Sequence, residues 1–322
     1  MASTPYIAAK RLLPVRDKLG EINWGLVALV TAIACIGFAM LYSAAGGNFD
    51  PWASRQMARF AAGFIILVSV ACVDIRVWMG LAYPAYAFSI LLLIATEIAG
   101  HVGMGAQRWI ELGPLQLQPS ELSKITMMLA LARYLHGLRP GEVSRPLKLA
   151  IPIALIALPV GLVVMQPNLG TATLLALGGF AVLFLAGLSW RWITPALAAV
   201  AIAVPTAWEF VLRDYQKARV MTFLDPTTDA LGAGWNITQA KIALGSGGLA
   251  GKGFLEGTQS RLNFLPEKET DFIFTIIGEE FGFLGSIALL LLFGAVIFYG
   301  IKIAMSSRSQ FGRILAMGLT VN

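Results

Sequence analysis

Long apolar runs recur along the whole chain and constrain its fold more than any other feature. A helix needs about 20 consecutive apolar residues to cross the hydrocarbon core of a bilayer. Such runs lie near 24–45, 57–73, 77–99, 121–137, 147–165, 171–188, 190–212 and 271–301. Charged residues make up only 13% of the sequence, about half the share that is usual in soluble domains. The sequence therefore predicts an all-α, polytopic transmembrane helix bundle with eight spans, forming a single domain over residues 1–322.

The basic residues predict the orientation of the bundle. Cytoplasmic loops of membrane proteins are enriched in Lys and Arg. One side of the predicted bundle holds Lys10, Arg11, Arg16, Lys18, Arg76, Arg139, Arg145, Lys148, Arg191, Lys302, Arg308 and Arg313. The short loops of the other side hold Arg55, Arg59 and Arg108. The N-terminus is therefore expected in the cytoplasm, and the predicted outer segments are 46–56, 100–120, 166–170 and 213–270.

Composition excludes several functional classes. The net charge is +6, but the basic residues sit in short loops and form no continuous stripe, which argues against nucleic-acid binding. Cys35 and Cys72 fall inside apolar runs, as buried hydrophobic cysteines do. With only His101 and His136 available, a histidine-rich metal site is excluded.

The fourth run carries two charges, Glu121 and Lys124, which makes it the weakest of the predicted spans. Three residues apart on a helix, they share one face. Charges at membrane depth are costly, so we expect them to pair and to face the interior of the bundle. They form either a structural ion pair or a polar wall of a substrate cavity. Pro119 and Ser120 predict the helix start, with Ser120 as a cap.

A second set of acidic residues follows the long outer segment 213–270. Asp271 precedes Phe272-Ile273-Phe274, so we expect it at the border where the chain re-enters the bilayer. Partial desolvation there would suit a general base; alternatively, Asp271 is a helix N-terminal charge favoured by the macrodipole. Glu279 and Glu280 lie deeper in the same helix, and at least one should face the interior.

The outer segment itself has the polarity and glycine content of a linker, although Trp235 and Leu249 give it apolar surface for docking. Its stretch Gly245–Gly253 is similar to a nucleotide phosphate loop, but no Ser or Thr follows Lys252, and Ser246 stands where the first glycine belongs. Two interpretations remain. The favoured one is a flexible hinge, and the other is a backbone nest for a lipid diphosphate.

Four ordered segments resemble the signatures of the SEDS family (shape, elongation, division and sporulation). They are Gly105–Ile110 with Gln118–Lys124, then Gln166–Thr171, Arg219–Pro226 and Leu265–Phe274. Lys252-Gly253 and Gly257-Thr258-Gln259, which follow the glycine run, are more similar to the elongation members of the family than to the division members. The resemblance covers the chain from about residue 24 to its end.

The resemblance implies ten spans and a peptidoglycan glycosyltransferase of the bacterial inner membrane that polymerises lipid II, with its active site outside. It also implies a class B penicillin-binding transpeptidase as partner. Asp271 matches the essential aspartate of the family, and Glu121 and Lys124 match its membrane-buried ion pair. Weaker candidates for substrate binding are Arg108, Trp109, Lys252, Lys268 and Glu279.

This sequence departs from the family pattern at Asn168, where the family usually has Asp, so no proton role is assigned there. The last spans of the family, with a Pro- and Gly-rich outer motif between them, are also missing. We expect polymerase activity to require them.

The sequence is compatible with three functions. In a glycosyltransferase, Asp271 would take the proton of the acceptor sugar hydroxyl. Lys or Arg side chains, or a divalent cation (Mg or Mn), would neutralise the leaving diphosphate. A lipid II flippase or transporter should show half-chain repeats and discontinuous helices, and the sequence has no such repeat. A non-catalytic scaffold of the elongation machinery would need no acid at the border between loop and helix.

The orientation is testable by labelling. A cysteine placed at Thr228, with Cys35 and Cys72 replaced, should react with an impermeant maleimide added to spheroplasts, because the segment 213–270 is expected outside and over the cavity. Labelling only after lysis would reverse the predicted topology.

The final apolar run predicts a longer natural protein. The run from Ile314 to Val321 is roughly 12 Å of helix, well short of a hydrocarbon core of about 30 Å. We read it as a truncated ninth span and expect at least one more outer loop and one more span. The parent gene should therefore show an open frame for about 50 further residues or more. A stop codon directly after Asn322 would contradict this.

Overall fold

The computed structural model describes residues 15–99, 101–103, 106–112, 115–139, 141–166, 168–210, 212, 214–229, 232–262 and 267–322. Its helices are α1 (Val15–Glu21), α2 (Trp24–Ala44), α3 (Ala53–Ala71), α4 (Ile75–Ala99), α5 (Pro119–His136), α6 (Pro146–Met165), α7 (Leu169–Leu185), α8 (Trp190–Phe210), α9 (Asp214–Leu224), α10 (Ala233–Ser246), α11 (Thr258–Arg261), α12 (Ile273–Ser306) and α13 (Gln310–Val321). Short 3-10 turns cover Glu142–Ser144 and Pro226–Asp229. Three short strands, β1 (His101–Gly103), β2 (Ala106–Leu112) and β3 (Leu115–Leu117), form an antiparallel sheet in the order β1-β2-β3.

The predicted all-α transmembrane bundle is confirmed. Each of the eight predicted spans is a helix, α2 to α8 and α12. Among the described residues, α2, α4, α6, α8 and α12 are long and apolar enough to cross a membrane, and α7 is a shorter apolar helix. The exact number of spans in the bilayer stays a prediction. The sequence did not predict the small sheet, and the linker-like segment 213–270 is largely helical, with α9, α10 and α11 inside it.

The helix ends fall on two faces, as alternating spans require. We call the face that carries Asp271 the Asp271 face, and the other the opposite face. On the opposite face, the ammonium of Lys18 donates to the carbonyl of Cys72 over 2.9 Å. There too, the indole N–H of Trp192 donates to the carbonyl of Ser144 over 2.9 Å. These bonds join connections that the sequence predicts on one side of the membrane.

Helix α5 occupies the centre of the bundle and packs against α4, α6, α7 and α13. Its residues from Thr126 to Ala132 are buried all round the helix. The hydroxyls of Ser89 and Thr126 lie 2.7 Å apart inside this core. A helix that faces protein on every side needs no apolar lipid-facing surface, which explains why its sequence signal was the weakest. In contrast, Ile193 is the one buried residue that the structure describes on α8, as expected of a peripheral helix.

Helix α12 is broken at Gly282, whose φ is +64° and ψ is −158°. The part after the break, residues 283–306, is about 36 Å long, which alone exceeds a hydrocarbon core of about 30 Å. The part before it, residues 273–281, is therefore an extension that the membrane crossing does not require.

The neighbouring span shows where this extension lies. Helix α2 has 21 residues, about 31 Å, and runs antiparallel to α12. Ser43, near the end of α2, bonds to Glu280, and a Cβ on Gly25, near its start, would lie 3.1 Å from the hydroxyl of Tyr299. Residues 273–279 therefore extend about 10 Å beyond the end of α2. Asp271 lies beyond that end rather than level with it. Its expected position at the bilayer border stays a prediction.

The glycine segment 247–253 crosses the break in α12 and pairs with its backbone. Four hydrogen bonds join them: Lys252 N–H to Glu279 O (3.0 Å), Gly253 N–H to Glu280 O (3.0 Å), Phe283 N–H to Gly248 O (2.9 Å) and Leu284 N–H to Leu249 O (3.1 Å). A helix break frees backbone groups that must be satisfied, above all near a bilayer. The glycine segment supplies the partners that α12 itself cannot.

Close approach explains why glycine is required in this segment. A Cβ on Gly251 would lie 2.1 Å from the carbonyl oxygen of Glu280, and one on Gly247 would lie 1.9 Å from that of Gly278. The flexible-hinge interpretation is therefore wrong, because the segment is packed against a helix backbone. The nest interpretation is not supported at Gly251, Lys252 and Gly253, since their N–H groups all donate to carbonyls of the protein.

The packing predicts that Gly251→Ala destabilises the protein by about 2 to 5 kcal/mol, from left-handed strain and overpacking together, because Gly251 has a φ of +83°. Gly294→Ala is the matched control, since a Cβ there meets nothing within 4 Å. Melting temperatures in detergent should fall clearly for the first variant only. Equal melting temperatures for both variants would show that the segment is loosely seated.

Candidate functional site

Asp271 lies in the turn that precedes α12, and its side chain is exposed. Within the described part of the chain it makes no hydrogen bond or ion pair. The next residue, Phe272, packs on the buried Ala240 and Ala243 of α10. The backbone at Asp271 is thus anchored from one side, while its carboxylate remains open to an incoming group.

Glu279 is fully buried at 0% exposure, and one of its oxygens is the centre of a dense cluster. Its Oε1 accepts from Lys252 Nζ at 2.7 Å, from the Thr258 N–H at 2.8 Å, from the Thr258 hydroxyl at 3.0 Å and from the Gln259 N–H at 3.0 Å. Its Oε2 is buried without a hydrogen-bond partner among the described residues. The segment 252–259 is therefore attached to α12 through one carboxylate.

The charges of Lys252 and Glu279 compensate each other in this cluster. Burying either charge alone would be costly, and the direct contact of the pair, with the further hydrogen bonds to Glu279 Oε1, offsets part of that cost. Lys252 also donates to the Thr258 hydroxyl over 2.8 Å. Both residues were predicted as weak substrate contacts, and the structure brings them together with each other. A role in substrate binding stays a prediction for both.

Glu280 forms the second buried carboxylate, with 1% exposure. It accepts a hydrogen bond from the hydroxyl of Ser43 at the end of α2. Backbone N–H groups of Leu255 and Gly257 also face its carboxyl group. Glu280 therefore joins α2, α12 and the outer segment at one point. The sequence predicted that at least one of these neighbouring glutamates faces the interior, and the structure buries both.

Ser43 and Thr258 are the site residues that sequence reasoning missed. Ser43 ends an apolar span and carries no motif of its own. Thr258 lies in the Gly257-Thr258-Gln259 segment, which entered only through its resemblance to elongation members. A backbone N–H that serves as a donor leaves no trace in residue type, so the partners of a buried carboxylate are hard to read from sequence.

The structure brings Glu121 and Lys124 together on the first turn of α5, with Lys124 Nζ 2.7 Å from Glu121 Oε2. The side chain of Lys124 is 17% exposed and that of Glu121 is 55% exposed. The pair is therefore only partly buried by the surrounding protein. Gln118 occupies the N-cap position of this helix without a side-chain cap hydrogen bond, and Pro119 is in the first turn. The predicted cap at Ser120 is therefore wrong. In the described part, no hydrogen bond or ion pair links this pair to Asp271.

The remaining predicted substrate contacts are dispersed. Trp109 is half-buried on β2, opposite His101 in the sheet register. Arg108 precedes it on the same strand, and its side chain is outside the described residues. Lys268 lies in the turn before Asp271; partial burial lowers its pKa below the usual range, while the charge of Glu269 acts in the opposite direction.

Three residues of the other motifs, Gln166, Asn168 and Asp225, lie in well-defined local surroundings. Gln166 is buried and donates its amide to the carbonyl of Leu93 over 3.0 Å, which ties the end of α6 to α4. Asn168, which replaces the usual aspartate, is buried at the start of α7 without capping it. Asp225 accepts from the hydroxyl and the N–H of Thr227. These bonds hold the pKa of its carboxyl below the usual range.

A preformed metal centre is not supported by the described residues. They contain no group of three or more His, Cys, Asp or Glu side chains that could hold an ion. Glu279 and Glu280 already accept from groups of the protein, and Asp271 stands alone. A divalent cation (Mg or Mn) stays a prediction.

Comparing two double-mutant cycles tests the buried cluster. Lys252→Met and Glu279→Gln should each destabilise the protein by about 3–5 kcal/mol, and the double variant by clearly less than their sum. Lys124→Met and Glu121→Gln should show weaker coupling, because half-exposed pairs contribute about 0–1 kcal/mol. Unfolding in detergent measures both cycles. Additive effects at Lys252 and Glu279 would argue against direct contact.

Known proteins resemble this chain over nearly its whole length. The family model for the FtsW, RodA and SpoVE proteins, described as cell cycle proteins, matches residues 23–322. Peptidoglycan glycosyltransferase MrdB of Escherichia coli K12 is 44% identical over 91% of this chain and 79% of its own length. The probable peptidoglycan glycosyltransferase FtsW of Trichlorobacter lovleyi is 34% identical over 94% of this chain and 81% of its own length.

Solved structures agree with the sequence relatives. A chain from work on "structural coordination of polymerization and crosslinking by a peptidoglycan synthase complex" is 36% identical, with a TM-score of 0.78, over 93% of this chain and 83% of that one. The rod shape determining protein RodA of Thermus thermophilus is 31% identical, with a TM-score of 0.68, over 93% of this chain and 81% of that one. The resemblance drawn from the four sequence motifs is confirmed: the chain belongs to the FtsW/RodA/SpoVE family of cell cycle proteins, the SEDS family.

Proposed function

We propose that this protein is a peptidoglycan glycosyltransferase that polymerises lipid II during cell elongation, with Asp271 as the general base. The observation that carries the proposal is the exposed, unpaired carboxylate of Asp271 in a chain 44% identical to an enzyme of that name. The extension of α12 holds this carboxylate clear of the end of α2. The higher identity to MrdB than to the FtsW relative supports the elongation role.

In the proposed reaction, Asp271 accepts the proton of the acceptor sugar hydroxyl. The resulting oxygen forms a bond to the anomeric carbon of the donor, and the bond from that carbon to the lipid diphosphate breaks. The diphosphate leaves with the electron pair of that bond. Lys268, three residues before Asp271 in the sequence, would provide a cation for this developing charge. A Mg or Mn ion bound to the diphosphate would supply further positive charge there.

Location and partner follow from the same reasoning. The excess of Lys and Arg on the opposite face supports a cytoplasmic position for that face, which puts Asp271 outside the inner membrane. No nucleotide sugar is available there, so the donor must already be activated as a lipid diphosphate. The structural similarity to a chain of a peptidoglycan synthase complex supports a class B penicillin-binding transpeptidase as partner.

A lipid II transporter is the second candidate, and one observation favours it. The break at Gly282 makes α12 a discontinuous helix, as is common in transporters. However, four backbone hydrogen bonds join the glycine segment to this break, so these groups are not available to coordinate a substrate. The matched half-chain repeats of a transporter are also missing from the sequence. We therefore favour the glycosyltransferase.

The predicted base is tested with Asp271→Asn in the full-length protein, purified with its transpeptidase partner and supplied with lipid II. Removing a general base typically lowers the rate by about 100- to 10,000-fold. Glu269→Gln removes a neighbouring carboxylate and should keep most of the activity. Gel analysis of glycan polymer measures both variants.

Three outcomes would separate the alternatives. Polymerisation by Asp271→Asn at a near wild-type rate would remove Asp271 as the base. If the wild-type protein moves lipid II across liposome membranes and forms no polymer, the transporter is favoured. Neither polymer nor transport by the wild-type complex would favour the scaffold.

A further inference from the structure

A groove opens on the opposite face, away from Asp271, beside the first turn of α8. Its volume is about 590 Å³, and its walls include Ser144, Ser189, Arg191, Trp192 and Pro195. The groove plays no part in the proposed reaction, and it lies where α8 meets the 3-10 turn Glu142–Ser144.

The walls of the groove are fixed to each other by hydrogen bonds. The hydroxyl of Ser144 accepts from the N–H of Ser189 over 2.9 Å. The carbonyl of the same serine accepts from the indole N–H of Trp192 over 2.9 Å. The 3-10 turn and the start of α8 therefore form one built surface, with the Trp192 ring held in place.

Arg191 is the one charged residue among the described walls of the groove and makes it positive. Arg191 is exposed and makes no ion pair or hydrogen bond within the described part of the chain. Close to Ser144 in sequence, but not among the groove walls, Lys148 and Arg145 share one carboxylate, Glu142, at 2.8 Å and 3.8 Å. Hydrogen bonds from Lys148 and from the backbone of Arg139 lower the pKa of Glu142 to about 2, so it is ionised at neutral pH. One anion therefore pairs with two cations there, and Arg191 has no pairing carboxylate among the described residues.

The groove also borders a surface suited to lipid. Trp190 is 66% exposed and Leu147 is 87% exposed, each in the first turn of its apolar helix. Tryptophan is enriched at the level of the lipid head groups. The positive groove thus opens at the depth where phospholipid phosphates lie, with apolar surface directly beside it for acyl chains.

We propose that this groove binds the head group of an anionic phospholipid. The guanidinium of Arg191 presents paired donors to a phosphate, and a basic pocket beside membrane helices is suited to acidic lipids. A purely topological role for the basic residues would account for their side of the membrane. It would not account for an unpaired arginine in a rigid groove beside two tryptophans.

The test measures lipid binding to the full-length protein by native mass spectrometry, in detergent with added phosphatidylglycerol or phosphatidylcholine. Arg191→Gln should weaken phosphatidylglycerol binding about tenfold or more, because hydrogen bonds to a charged group are lost. Arg191→Lys should fall between, since it keeps the charge and loses the fork of donors. Arg308→Gln removes an exposed arginine of the same face, outside the groove, and should have little effect.

The outcomes decide the proposal. A tenfold loss in Arg191→Gln alone, with an unchanged melting temperature, supports a specific site. Equal losses in Arg191→Gln and Arg308→Gln would show general surface charge and overturn it. Unchanged binding in Arg191→Gln, or equal binding of the two lipids by the wild type, would overturn it as well. Polymerase activity is not a readout here, so failure of this proposal leaves the proposed function untouched.

Discussion

The arrangement of the Asp271 face depends on the backbone pairing between the glycine segment 247–253 and the break in α12. At Gly282 the helix cannot continue its own hydrogen-bond pattern, and four bonds to the segment replace what is lost. This exchange is possible only because glycines allow two backbones to approach within contact distance. The side-chain cluster of Glu279 with Lys252 and the bond between Ser43 and Glu280 then secure the same junction from both sides.

This junction links a rigid membrane bundle to an exposed carboxylate. The extension of α12 before the break carries the chain about 10 Å beyond α2, and α10 packs against it at Phe272. The backbone at Asp271 is therefore held in place by packing, even though the side chain of Asp271 has no partner among the described residues. A base that must meet a large, lipid-linked sugar benefits from being accessible while its backbone stays fixed.

Apolar run length predicted the helices well, because a bilayer demands a fixed length of apolar chain. The same reasoning gave its weakest signal at α5, whose polar residues are tolerated at the centre of the bundle. It also misjudged the glycines, since composition alone does not distinguish a flexible segment from one that packs against another backbone. Spacing placed Glu121 beside Lys124, whereas the pairing of Lys252 with Glu279 joins residues 27 apart, a distance that only the fold can close.

Hydrogen–deuterium exchange of the full-length protein tests the central junction most directly. The N–H groups of Lys252, Gly253, Phe283 and Leu284 donate across the break, so peptides that cover 247–257 should exchange nearly as slowly as those from the buried helix α5. Amides protected by backbone hydrogen bonds in a packed junction exchange only when it opens. Exchange of the 247–257 peptides within seconds, as in a free loop, would contradict the account.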